Sequence, residues 1–231
     1  MNFLENEFFL LAVTFGLFFF AKLLQKRTGV MLLNPILLTI ALLILFLKTA
    51  GISYETYNKG GHFIEFWLKP AIVALGVPLY LQLETIRKQL LPILLSQLAG
   101  CVVGVVSVVL IAKALGASDE IIYSLAPKSV TTPIAMEVTQ SLGGIPSLTA
   151  AVVVSVGLLG GIVGFKTMKL TRIGSPMAQG LSLGAAAHAV GTSTAMDISR
   201  KYGAFASLGL ILNGIFTALL TPTLLRLLGM L

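Results

Sequence analysis

Two polar segments of matching sequence interrupt this apolar chain, and they carry the side chains best suited to binding a ligand. The first is Lys128–Glu137 (KSVTTPIAME), and the second, sixty positions later, is His188–Asp197 (HAVGTSTAMD). Val, Thr, Ala and Met stand in register, and each segment ends on a carboxylate. A cation beside clustered hydroxyl groups can hold a small carboxylate by charge-assisted hydrogen bonds. The duplicated break therefore predicts two halves of one intramembrane binding site.

The composition indicates that these segments lie within a membrane protein. Hydrophobic residues make up 56% of the 231 residues and charged residues only 11%, against about 25% charged in soluble domains. We therefore expect an all-α polytopic membrane protein, with one membrane domain over residues 1–231. The net charge of +7 is expected from basic cytoplasmic loops. The lipid bilayer is the expected environment, and no nucleic-acid partner is expected.

Six apolar segments are expected to form transmembrane helices, with boundaries good to about two residues. They are residues 7–24, 31–48, 63–84, 90–113, 146–166 and 202–228. Pro70, Gly76 and Pro78 lie in the third of them and predict a kink or a break there. Cys101 is the only cysteine, so no disulfide can form within the chain and a packing role is expected.

Residues 119–143 and 177–200 could either cross the membrane or fold back as re-entrant hairpins, and the basic residues favour hairpins. Two full crossings would place the basic residues of 166–172 outside, against the rule that such residues stay inside. Two hairpins place every basic cluster inside: Lys22, Lys26 and Arg27; Arg87 and Lys88; Lys166, Lys169 and Arg172; Arg200 and Lys201. The N-terminus is then outside, and the repeats 122–166 and 182–226 are inverted, with their broken centres meeting at the midplane.

Each break is expected to present a helix N-terminus, whose unpaired N–H groups favour anions. Pro133 fits the first turn of a helix, and Thr132 before it is the expected N-cap. In the second segment Gly191 would relax the backbone, while Thr192 or Ser193 would cap the helix. The predicted substrate-binding residues are Lys128, Ser129, Thr131, Thr132, His188, Gly191, Thr192, Ser193 and Thr194.

Ordinary structural roles compete with these assignments. Lys128 at membrane depth would cost at least about 2.5–3.5 kcal/mol, so it either marks a binding site, snorkels or pairs with Glu137. His188 could gate or exchange protons, or it could simply be hydrogen-bonded. Glu137 and Asp197 could carry a coupling proton or ion, or only complement helix dipoles. The supporting intramembrane residues, each with a structural alternative, are Asn34, Tyr80, Asn213 and Pro133.

The sequence offers little for enzyme chemistry. The two histidines are far apart, no metal-protease spacing occurs, and no nucleophile and base share a motif. The glycines of 157–164 lie in an apolar span, where they favour close helix packing over phosphate binding. We therefore expect no catalytic residue, no metal site and no cofactor.

The motifs PKSVTTPIA at 127–135 and AHAVGT at 187–192 resemble those of the LrgB/CidB family of bacterial inner-membrane proteins. The segments 33–35, 51–54 and 70–80 extend the resemblance over essentially the whole chain. Family members are commonly labelled antiholin-like or murein-hydrolase regulators, and relatives include the plastid glycolate/glycerate transporter and bacterial pyruvate-uptake systems. The resemblance thus implies movement of small 2-oxo or 2-hydroxy acids across the inner membrane. It also implies a smaller LrgA/CidA-type membrane subunit, since the plastid relative carries such a domain fused in front.

Two functions follow as expectations. The first is a secondary transporter of small monocarboxylates, such as pyruvate, lactate, glycolate or glycerate, that works by alternating access. The second is a holin- or antiholin-like regulator of murein hydrolase activity and autolysis, acting by oligomerisation in the membrane. A duplicated polar centre is more than oligomerisation requires, so transport is the main prediction. A homodimer is expected from the frequency of symmetric dimers alone.

Overall fold

The computed structural model describes residues 6–29, 33–74, 76–81 and 83–231, and this part of the chain is all-helical. The helices are α1 Glu7–Thr28, α2 Pro35–Ala50, α3 Tyr54–Ala74, α4 Gly76–Leu81, α5 Leu83–Lys88, α6 Leu90–Ala114, α7 Asp119–Leu125, α8 Thr132–Leu142, α9 Pro146–Leu170, α10 Pro176–Ile198 and α11 Arg200–Leu227. Among the described residues, α1, α6, α9 and α11 are long and apolar enough to cross a membrane. The predicted all-α polytopic fold is confirmed.

Two of the predicted spans differ from the helices that the chain forms. The span predicted at 31–48 corresponds to α2, whose 16 residues are fewer than the roughly 20 that a straight crossing requires. The span predicted at 63–84 is divided among α3, α4 and α5. Of the residues that predict a kink, Pro70 lies inside α3, and Gly76 and Pro78 lie in α4. Met31, Leu32, Leu75 and Gln82 of the two predicted spans lie outside the described residues.

The helices form two compact units, of which Met1–Ala74 is the first and Leu75–Leu231 the second. In the first unit α1 packs against α2 and α3, and the Oγ1 atom of Thr14 lies 3.2 Å from the hydroxyl oxygen of Tyr57. Asn34 accepts hydrogen bonds from the backbone N–H groups that open α2, which is the ordinary role of an N-cap asparagine. The first unit therefore holds one of the predicted supporting residues, in a local capping role.

In the second unit α7 and α8 lie side by side as the two limbs of a hairpin, here called the first hairpin (119–142). Both limbs contact the beginning of α9. Thr149 donates a hydrogen bond to the carbonyl oxygen of Ser124 on α7 (2.9 Å), and its hydroxyl lies 2.8 Å from that of Thr139 on α8. The backbone N–H of Ile145 donates to the Ser124 hydroxyl at 2.7 Å. These bonds tie the last turn of α7 and the C-terminal half of α8 to the N-terminal end of α9.

Helix α10 is broken and folds back on itself, so that its two halves form the second hairpin (176–198). Ala187 and His188 leave the helical region, His188 with φ 41° and ψ −133°. A side-chain carbon added to Gly191 would collide with the carbonyl oxygen of Leu183, eight residues earlier. Residues eight apart in a straight helix are about 12 Å apart along its axis, so this contact requires a reversal of direction.

The second hairpin runs along α9 from the end opposite to the first. Its first limb passes Gly164 at Leu183 and reaches Gly157, next to the centre of α9, at His188. Glycines on α9 leave the room for this approach, because a side-chain carbon at Gly157 would lie 2.5 Å from the imidazole ring. The two hairpins therefore point toward each other from opposite ends of α9, as the arrangement of basic residues predicts.

Candidate functional site

The two hairpin tips meet at Asn213, which lies at the centre of α11. Its Nδ2 atom donates to the carbonyl oxygen of Ala185, just before the break of the second hairpin, at 2.8 Å. The same atom donates to the carbonyl oxygen of Ser129, in the first tip, at 3.3 Å. The side chain is only 3% exposed. One buried amide thus bridges both tips, and the supporting role of Asn213 in a binding site stays a prediction.

A cavity of about 550 Å³ adjoins this junction. Four elements form most of its wall: α6, the first tip (126–131), the first limb of α10, and α11. Most of the lining is apolar. Its polar members are Ser96, Gln97, Lys128, Ser129, Ser182, Asn213 and Thr217. A largely apolar pocket with a few convergent polar groups is the usual form of a small-molecule site.

Lys128 is the one positively charged residue among the described residues that line this cavity. It is half-buried, and its Nζ atom donates to the hydroxyl of Ser129 at 3.1 Å. Within the described part of the chain no carboxylate pairs with it, and Glu137, the partner considered from the sequence, is exposed. A half-buried ammonium group without a counter-charge attracts an anion strongly, because the low dielectric of the interior screens it little.

The first tip is shaped by turns and by the start of α8. The backbone N–H of Lys128 bonds to Leu125 O, and Pro133 lies in the first turn of α8 as predicted. The predicted N-cap at Thr132 is wrong by one residue: Ala135 donates to the carbonyl oxygen of Thr131, which places Thr131 in the cap position. Neither hydroxyl lines the cavity, and Thr131 makes no side-chain capping bond.

His188 lies buried at the second tip. Its Nε2 atom is 2.9 Å from the carbonyl oxygen of Val153 on α9, and because a carbonyl only accepts, Nε2 carries the hydrogen. The hydroxyl of Thr192 donates to the carbonyl oxygen of His188 at 2.9 Å. His188 does not line the cavity. The bonds of His188 and Thr192 hold the tip together.

The second break falls before the position predicted for it. The sequence indicates a break at Gly191 with Thr192 or Ser193 as cap, whereas the backbone leaves the helix at Ala187 and His188. Gly191 instead allows the two limbs to touch, since any side chain there would meet Leu183 O. Thr194 donates to Val190 O, one turn earlier, and Ser193 is exposed. None of the predicted residues from 191 to 194 lines the cavity.

The remaining predicted residues lie away from the cavity wall. The coupling candidates Glu137 and Asp197 are both exposed, and the side chain of Tyr80 on α4 is 75% exposed. Of the predicted substrate-binding residues, the structure brings Lys128 and Ser129 to the cavity.

Several lining residues were not identified from the sequence. Gln97 and Ser96 form a polar pair within the apolar α6, and this pair was the available signal. Thr217 on α11 faces α6, where its hydroxyl lies 3.4 Å from the sulfur of Cys101. These residues supply the wall of the cavity that is separate from the two hairpins.

Comparison with known proteins places the whole chain within one group. The model of the LrgB-like family matches residues 14–227. The holin-like protein CidB of Staphylococcus aureus is 36% identical over 227 residues, covering 98% of this chain and 99% of that protein. YwbG of Bacillus subtilis is 38% identical over 205 residues (89% and 91%), and the antiholin-like protein LrgB of Bacillus mycoides is 33% identical over 207 residues (90% of each). No solved structure matches the chain.

Proposed function

The chain belongs to the LrgB-like family, and on that premise we propose that it is a secondary transporter that binds small monocarboxylates between its two hairpin tips. The observation that carries the proposal is the junction at Asn213, where both tips meet beside a cavity lined by Lys128. Broken helices that meet in this way form the substrate sites of many secondary transporters.

The cavity has the chemistry that a small carboxylate requires. Lys128 supplies a positive charge that no described carboxylate neutralises, and the hydroxyl of Ser129 lies beside it. Most of the remaining wall is apolar, and in surroundings of low dielectric the attraction between the ammonium group and the anion is stronger than in water. We take the substrate class, which includes pyruvate, lactate, glycolate and glycerate, from the family resemblance.

The opposed hairpins supply a route to alternating access. The two repeats, 122–166 and 182–226, would sit in inverted orientation, each hairpin closing the site toward one face of the membrane. Release of either hydrogen bond of Asn213 would let one tip move while the other stays in place. Of the three candidate coupling residues, His188 is the one that lies at a hairpin tip, where it is hydrogen-bonded to Val153 O.

The cellular setting completes the proposal. The protein would lie in the bacterial inner membrane with its N-terminus outside, following the distribution of basic residues. It would work with a small LrgA/CidA-type membrane subunit and could form a homodimer. Reconstitution with and without such a subunit, followed by cross-linking, measures both associations.

Uptake into liposomes tests the proposed transport. Purified protein should move at least one of pyruvate, lactate, glycolate and glycerate, with or without the small subunit. Lys128→Ala should abolish uptake while the protein still inserts, and Lys166→Ala, which removes an exposed lysine on α9, should leave uptake intact. Absence of flux for all four acids under both conditions would refute the transporter.

The names of the relatives favour a second function. CidB is named holin-like and LrgB antiholin-like, and these names support a role in controlling murein hydrolase activity and autolysis by oligomerisation more directly than they support transport. Such a role needs no anion site. Lys128→Ala would then leave the autolysis phenotype unchanged, whereas a phenotype that depends on carboxylate transport would be lost.

A further inference from the structure

Gln97 on α6 is a buried polar residue in the cavity wall whose oxygen has no partner. The residue is only 4% exposed, and it lines the same cavity as Lys128. Within the described part of the chain, its Oε1 atom is the one buried side-chain oxygen or nitrogen that makes no hydrogen bond. An unpaired buried acceptor destabilises a fold, and most proteins avoid it, so its presence in a binding cavity points to a ligand.

Three other polar groups of the wall already have partners. The hydroxyl of Ser96 donates to Ile93 O at 2.9 Å, and Asn213 donates to two backbone carbonyl groups. Thr217 lies within hydrogen-bond distance of Cys101. Gln97 therefore retains hydrogen-bonding capacity for a bound molecule, as Lys128 retains charge.

We propose that Gln97 is a specificity-determining residue whose side-chain amide forms a hydrogen bond with a hydroxyl group of the ligand, while Lys128 holds the ligand's carboxylate. The inference rests on the proposed function and narrows its substrates to small acids that carry a hydroxyl group. A hydroxyl group both donates and accepts hydrogen bonds. It can therefore pair with the oxygen or with the nitrogen of the Gln97 amide, whichever of them faces the ligand. A keto oxygen only accepts, and a methylene group does neither.

Acids of equal carbon number separate these cases. Lactate, pyruvate and propionate each have three carbons and one carboxylate, and they differ in the group beside the carboxylate. Lactate should bind about tenfold or more tightly than propionate, since propionate leaves the buried amide unpaired. Pyruvate should bind less tightly than lactate. 3-Hydroxypropionate, which carries its hydroxyl one carbon further away, reports where along the ligand the amide lies.

The test measures the dissociation constants of these acids for the full chain in detergent, from the rise in unfolding temperature with ligand concentration. Gln97→Met keeps the size of the side chain and removes its polar atoms. It should bring lactate to the affinity of propionate and leave propionate unchanged. It should also raise the unfolding temperature without ligand, because an unpaired acceptor is removed. Ser107→Ala, on the same helix but outside the cavity, removes a hydroxyl that is already bonded to Gly104 O and should keep the preference for lactate.

The outcomes separate the two proposals. If the wild type binds hydroxyl-bearing acids and propionate with equal affinity, the proposed role of Gln97 is overturned. If Lys128→Ala then binds neither, the anion site itself is still supported. A lactate preference that survives in Gln97→Met also overturns the role of Gln97. If neither class of acid binds the wild type at millimolar concentration, the proposed function itself fails.

Discussion

Val153 on α9 and Asn213 on α11, sixty positions apart, each contact both hairpin tips. Val153 packs with Val130 of the first tip and receives the imidazole of His188 at its carbonyl oxygen. Asn213 donates to Ser129 of the first tip and to Ala185 beside the second. The two positions are equivalent in the proposed repeats 122–166 and 182–226, and a site built by duplication would place them at the same two breaks.

Loss of the Asn213 amide should loosen the junction. Asn213→Ala leaves two partly buried carbonyl groups without their donor, at a cost of about 1–3 kcal/mol in the free energy of unfolding. We expect the unfolding temperature in detergent to fall by several degrees. Ile215→Ala, at an exposed position on the same helix, should have little effect. Equal unfolding temperatures for the two variants would show that the bridge contributes nothing.

The backbone of His188 makes glycine better than alanine at the second break. Both His188→Gly and His188→Ala lose the ring and its bond to Val153, but only glycine adopts φ 41° without strain. We expect the glycine variant to be more stable by about 1 kcal/mol, the reverse of the preference within a helix. Thermal unfolding of the pair measures this difference. Greater stability of the alanine variant would place position 188 in an ordinary helix.

Much of the scaffold could be predicted from sequence, because long apolar runs leave few alternatives. The helices predicted at 90–113, 146–166 and 202–228 agree with α6, α9 and α11 to within a few residues. The opposed hairpins followed from where basic residues must lie. The first break was located because Pro127 and Pro133 flank it, and proline ends helices or begins them.

The second break and the cavity wall could not be predicted from the same signals. Ala187 and His188 carry no turn preference, and their conformation is maintained by contacts of the tip with α9 that sequence spacing does not reveal. Gly191 looked like the break, yet it serves close packing of the limbs. Gln97 lies in a strongly apolar helix, and whether it faces lipid or a cavity depends on how α6 packs.

Close packing of the second hairpin on α11 should make Gly184 intolerant of any side chain. A methyl group at this position would collide with the carbonyl oxygen of Ala206. Gly184→Ala should therefore destabilise the protein by about 1–3 kcal/mol, as overpacking does. At Gly104 on α6 nothing lies within 4 Å of an added methyl group, so Gly104→Ala should be neutral or slightly stabilising. A destabilised Gly104→Ala with an unaffected Gly184→Ala would argue against this packing.

The central claim is that two hairpins from opposite sides meet at the substrate site, and a cross-link across their tips tests it most directly. Ser129→Cys and Ala185→Cys, combined with Cys101→Ser, place one thiol on each side of Asn213. We predict that a short bifunctional thiol reagent with a reducible link joins them, stops carboxylate uptake into liposomes, and releases it again on reduction. Failure of the two thiols to join, or undiminished uptake by the joined protein, would contradict the account.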